Sequence, residues 1–272
     1  FYNLHEYDAQ ITYACLKELF FTLLDSSDQR HQEIAICLLK SFYIYYSDVF
    51  SADTSGFIKL VLSIDRTLEN LLSIMSFIKV LNSINSEDSD IIFNFLIDII
   101  VNYPNTDIQY QCLSVFSNLT KNPLFFEKLI EIQPYIQCET IPIYFSLLVQ
   151  TYQVGTNLTN IKYDSFFDSI IEFYTKASES TGELISKFES NQESFDEYDS
   201  LYSSFLLLGS SSNCIIYFNY FLPYKFKDTI KPAFDSVFNI FRYKFIFEEK
   251  FGDSSIKELD IVESDFYNII KF

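Results

Sequence analysis

Apolar residues recur three and four positions apart along almost the whole chain, and no stretch sustains the period-two alternation of a half-buried strand. Such spacing stacks apolar side chains on one face of a helix, turn after turn, so the chain reads as all-α. The predicted helices cover roughly 6–25, 28–47, 54–64, 66–84, 87–103, 106–121, 123–132, 139–153, 163–178, 182–208, 213–221, 228–250 and 255–271. The punctuation between them agrees. Asn122 followed by Pro123 reads as an N-cap with proline at the first helical position, and Glu127 near the first turn suits the helix dipole. Gly155, Gly182, Gly209 and Gly252 are expected between helices, as are Pro104 and Pro134.

Many helices joined by short polar loops fit either a bundle or a solenoid, and internal repetition favours the second. Matching Ala35 to Cys112 aligns "EIAICLLKSF" (33–42) with "QCLSVFSNL" (111–119) at an offset of 77, and Ile36/Leu113, Leu38/Val115, Leu39/Phe116 and Phe42/Leu119 then coincide. Between them "SIMSFIKVL" (73–81) fits at an offset of 38, although Ser76 falls where the other copies are apolar. A period of 38 to 39 is that of armadillo and HEAT units. "DIQYQCLSVFSNLTKN" (107–122) resembles the second and third helices of an armadillo repeat, where a capping Asp precedes a helix ending in a pattern akin to "ALWALSNL". The resemblance covers 28–153 and fades along the way; residues 160–272 show less regular helices. It implies an all-α, right-handed alpha-alpha superhelix, an armadillo-like solenoid, with 1–272 as one helical domain.

On a helical wheel Ile108, Cys112, Val115, Phe116 and Leu119 share one face, while Gln111, Ser114 and Asn118 flank it. In armadillo proteins that flank lines a concave groove, an Asn there hydrogen-bonds the backbone of an extended peptide, and a Trp one turn earlier packs on the ligand. Asn118 matches that Asn. The Trp position holds Ser114 here and Cys37 and Met75 in the other copies, and the Asn position becomes Ser41 and Lys79. With no Trp in the chain, the ladder that reads nuclear localisation peptides is missing. Cys37, Ser41, Met75, Lys79, Gln111, Ser114 and Asn118 are therefore the expected protein-binding residues of a groove. For Asn118 the competing role is an amide that closes a neighbouring loop.

Charge narrows the partners. The chain of 272 residues carries 37 acidic and 19 basic side chains, a net −18 shared equally between its halves, which repels nucleic acid and anionic lipid and suits a neutral or basic protein. Thirty Phe and twenty Tyr lie at core spacing without interleaved cations, so they read as core rather than as base-stacking platforms. "IIFNFLIDII" (91–100) is broken by Asn94 and Asp98, short of a membrane span. Five widely spaced cysteines without a C-x-x-C pair fit a reducing compartment, cytoplasmic or nucleocytoplasmic, despite the "NLT" triplets at Asn118 and Asn157. Phe at the first position reads as a segment of a longer chain, with any targeting signal outside it.

Catalytic patterns are sparse. His5 and His31 have no second His at i+4, and His31 and Cys37 point about 120° apart on a helix. The phosphate-cradling glycine motifs and G-x-S-x-G do not occur, and the S-x-x-K matches Ser76–Lys79 and Ser254–Lys257 lack companions. "SEDSD" (86–90) resembles the metal-binding carboxylates of an all-helical enzyme, but reads more simply as a helix N-terminus capped by Ser86 or Ser89. Residues 176–199 carry a net −5 and read as a solvated helix face or an acidic insertion; 225–244 carry +3 and could pair with that stretch or with another chain. The expected function is a non-enzymatic protein-interaction scaffold needing no cofactor, metal, small molecule, nucleic acid or membrane. The rivals are a segment of a HEAT-type nuclear transport receptor that binds basic cargo or a small GTPase, a regulatory armadillo domain of a cytoskeletal assembly factor, and a metal-dependent helical enzyme.

Overall fold

The computed structural model describes residues 6–50, 53–81, 84–116, 119, 123–152, 163–190, 197–251 and 257–271. Among them 13 α-helices and no strand occur, and 86% of the described residues are helical. The helices are α1 (Glu6–Leu24), α2 (Gln29–Phe50), α3 (Thr54–Leu62), α4 (Leu68–Ile78), α5 (Ser86–Asn102), α6 (Thr106–Phe116), α7 (Pro123–Glu131), α8 (Ile141–Thr151), α9 (Asp164–Ser190), α10 (Tyr198–Asn219), α11 (Pro223–Phe226), α12 (Ile230–Phe251) and α13 (Lys257–Ile270). Contacts group them into two units, Phe1–Lys121 and Asn122–Phe272.

In the first unit α2, α4 and α6 pack side by side, α3 packs on α5, and α1 on α2 and α5 on α6 close the layers. Phe20, Phe42, Phe50, Phe57, Phe77 and Phe93 are fully buried between them, with Phe50 and Phe57 stacked at 5.0 Å and Tyr13 and Phe42 at 5.5 Å. α2 kinks at Tyr46, whose backbone is non-helical. The cap of α5 is Asn85, which accepts the Asp88 N–H at 2.8 Å; neither Ser86 nor Ser89 holds that place, because both already lie inside the helix.

The second unit is built around α10, which touches α8, α9, α11, α12 and α13. By length and composition α10 would cross a membrane, yet 67% of its apolar window is buried among its neighbours, the position of a core helix. Its sequence "GSSSNC" (209–214) is buried, and small residues let another helix come close: a Cβ placed on Gly209 would lie 2.5 Å from Val262 Cγ1 of α13. Ser210, Ser211 and Ser212 return their hydroxyls to the carbonyls of Leu206, Leu207 and Leu208 one turn back, at 2.6–2.8 Å, so they need no partner across the interface. Gly209 is thus a packing residue within one helix, not a break between two. Gly182 likewise lies inside α9, on its exposed side. Glycine weakens a helix without ending it when tertiary packing holds the segment. Gly155 and Gly252, and the expected cap Asn122, lie outside the described residues.

Candidate functional site

Each of α2, α4 and α6 begins with a buried amide that turns back on the loop before it. Gln32 Nε2 donates to Ser26 O at 2.7 Å, Asn70 Nδ2 donates to Asp65 O at 2.8 Å, and Gln109 Nε2 approaches Ile100 O at 3.5 Å. Asn70 Nδ2 also donates to Gln32 Oε1 at 3.1 Å, joining α4 to α2. The three positions are 38 and 39 residues apart, the same period as the apolar pattern. These amides close the loops, a role the sequence reading offered to Asn118. Asn118 itself lies outside the described residues.

Beyond the amides the three helices present one common face. Lys40 of α2 donates to Ser76 Oγ of α4, and Lys79, which caps the C-terminus of α4, donates to Gln111 Oε1 of α6. Ser76 therefore answers to Lys40, and the S-x-x-K spacing with Lys79 carries no pairing of its own. Burial, and after it the neighbouring Lys40 ammonium, hold the Lys79 amine below its ordinary value. Around this row lie Cys37, exposed; Ser41, whose hydroxyl donates to Cys37 O at 2.8 Å; and Ser114, which donates to Gln111 O at 2.9 Å. Ile44 and Leu72, 50% and 41% exposed, add apolar surface on the same helices.

Met75 does not belong here. It is 1% exposed and part of the core. The burial pattern explains why: Ala35, Ile36 and Leu39 correspond to Ile74, Met75 and Ile78 at an offset of 39, not 38, and to Cys112, Leu113 and Phe116 at 77. One residue is a rotation of about 100° on a helix, enough to carry Met75 from the groove column to the core. With the register corrected, the column reads Cys37, Ser76 and Ser114, and Lys40 is the counterpart of Lys79. Lys40 and Ser76 are the members of this face that the sequence reading missed. Ser76, polar where an apolar residue was required, was the visible sign of the slip.

The carboxylates of "SEDSD" have separate structural roles. Asp88 is buried and accepts from Ser55 Oγ at 2.8 Å and Asn85 Nδ2 at 2.7 Å, while exposed Glu87 pairs with Lys59 at 3.2 Å. Among the described residues no group of three His, Cys, Asp or Glu side chains is placed to hold a metal ion. In the second unit, Asp265 accepts a hydrogen bond from Ser146 Oγ at 2.6 Å, and burial raises its carboxyl above the ordinary range. Lys225 pairs with Asp164 and Asp168, and Lys244 with Asp260 and Glu263, so these cations of the basic stretch do not turn to 176–199; Tyr243 does, donating its hydroxyl to Glu189 and setting its ring edge-on to Phe188 at 6.5 Å. No protein-family model, curated protein or solved structure matches the chain.

Proposed function

We propose that the chain is a non-enzymatic protein-binding scaffold that works through the α2–α4–α6 face, on helical hairpins stacked as in a right-handed armadillo-like superhelix. The observation that carries this reading is the row Lys40–Ser76 and Lys79–Gln111, which runs across three helices packed side by side with exposed Ile44 and Leu72 beside it. Apolar anchors ringed by polar groups are the composition of a protein contact surface. The recurrence of a loop-closing amide every 38 to 39 residues supports repeated hairpins as its frame. The net −18 of the chain suits a basic partner at large, but the two ammoniums of this face select locally for a segment with a carboxylate beside an apolar side chain. A compartment with reduced thiols, cytoplasmic or nucleocytoplasmic, fits the five free cysteines.

The test compares proteins retained from cell extract by the native chain, by Leu72→Glu, by Lys79→Glu and by the control Glu183→Lys, quantified by mass spectrometry. Partners held by the native chain and the control but lost from both face variants are expected. Retention indifferent to Leu72→Glu and Lys79→Glu overturns the reading.

A further inference from the structure

The second unit carries an exposed aromatic stripe that no part of the reading above uses. Phe234, Phe238, Phe241 and Phe245 follow the i, i+4, i+7, i+11 spacing along α12, on the side away from its contact with α10. Phe238 and Phe245 are 57% and 59% exposed. Phe234, Phe238 and Phe241 lean on Phe266 of α13 with ring centroids at 6.0, 5.8 and 5.6 Å, and Tyr267 and Ile270, 46% and 49% exposed, extend the surface. Large aromatics concentrated in one patch mark an interaction surface.

The charges beside the stripe say what fits it. On the wheel Lys231, Asp235, Arg242 and Glu249, all exposed, lie along the flank opposite α13. The order is close to a palindrome about Asn239 and Ile240: Phe238 and Phe241 lie next to the midpoint, Phe234 and Phe245 further out, and Lys231 and Glu249 at the two ends. A second copy running antiparallel, related by a two-fold axis through that midpoint, sets each flank against the same flank reversed. Lys231 then meets Glu249 of the copy, Asp235 meets Arg242, and Phe238 meets Phe241. A parallel copy would set like charges against each other, which a stable contact avoids. Self-complementarity of one patch under a two-fold axis is the condition for an isologous interface.

We propose that the chain forms a two-fold dimer in which α12 packs antiparallel on α12 of a second copy, the aromatic stripes in the centre and the Lys231–Glu249 and Asp235–Arg242 pairs at the flank. Sedimentation velocity on the 272-residue chain over a concentration series reads the mass directly. The native chain is expected as a dimer, and Phe238→Glu as a monomer with the helical circular dichroism of the native chain, since the side chain is already 57% exposed; its melt is expected to fall by the stabilisation that association gives the dimer, a difference that shrinks as the native chain is diluted. Lys231→Glu is expected to raise the dissociation constant about tenfold or more, and Lys231→Glu combined with Glu249→Lys to restore it, because both ends of each pair are then swapped. Asp235→Arg with Arg242→Asp repeats the exchange nearer the axis. A monomer at the highest soluble concentration, a dimer indifferent to Phe238→Glu, or a failure of both charge exchanges to restore association overturns the proposal.

Discussion

Gly182 and Gly209 both sit inside helices, yet a methyl group added at each meets different surroundings. At Gly182 nothing lies within 4 Å, so Gly182→Ala removes backbone freedom from the unfolded chain without a clash and is expected to stabilise by about 0.5–1 kcal/mol. At Gly209 the methyl meets Val262 Cγ1, a branched and stiff neighbour, and Gly209→Ala is expected to cost about 1–3 kcal/mol. Urea unfolding of the two variants checks both signs. The sequence reading treated the two alike because glycine announces low helix propensity, whereas what it is needed for depends on which helix lies opposite. Asp265 gives a pH dependence with a definite sign. Burial raises its carboxyl in the folded state, so folding retains the proton, and stability falls as pH rises from the ordinary aspartate range through the folded value. Asp265→Asn is expected to raise the melting temperature at neutral pH and to flatten that decline, which thermal melts across the pH range will register.

At the scale of elements, the amides at the starts of α2, α4 and α6 are the fixed points of the first unit. Asn70→Ala strips donors from Asp65 O and Gln32 Oε1 in a buried setting and is expected to cost about 1–3 kcal/mol. Because Gln32 and Asn70 touch, the double variant Gln32→Ala/Asn70→Ala should lose less than the two singles together, a coupling that a double-mutant cycle measures. The helices themselves were legible from apolar spacing, since burial of one stripe is what forms them. Their register against each other was not, because apolar identity alone tolerates a shift of one residue. The α4 cap, Thr67, lies three residues before Asn70, whereas four separate Asp28 from Gln32 and Asn105 from Gln109. That shorter cap is the kind of local detail a pattern of apolar residues does not carry. The polar face was half legible: Lys79, Gln111, Ser41, Cys37 and Ser114 were placed on it, and Lys40 and Ser76 emerged only with the corrected register.

At the scale of the whole molecule, the net −18 acts against compactness through self-repulsion. Added salt screens it, so the melting temperature is expected to rise between low and physiological ionic strength, as scanning fluorimetry in a salt series will show. The two units differ in how far along the chain their ties reach. In the first, each loop-closing amide bonds a carbonyl five to nine residues away. In the second, Ser146 holds Asp265 across 119 residues, and Asn213 donates to Val262 O across 49. Nearby ties form early and distant ones wait, because closing a long loop costs entropy before any contact repays it. On the ribosome, then, the loops before α2, α4 and α6 are able to close one after another as they emerge. The core around α10 stays open until α13 has been synthesised, and during that interval its buried serines and aromatics are the part of the nascent chain that a chaperone would have to shield.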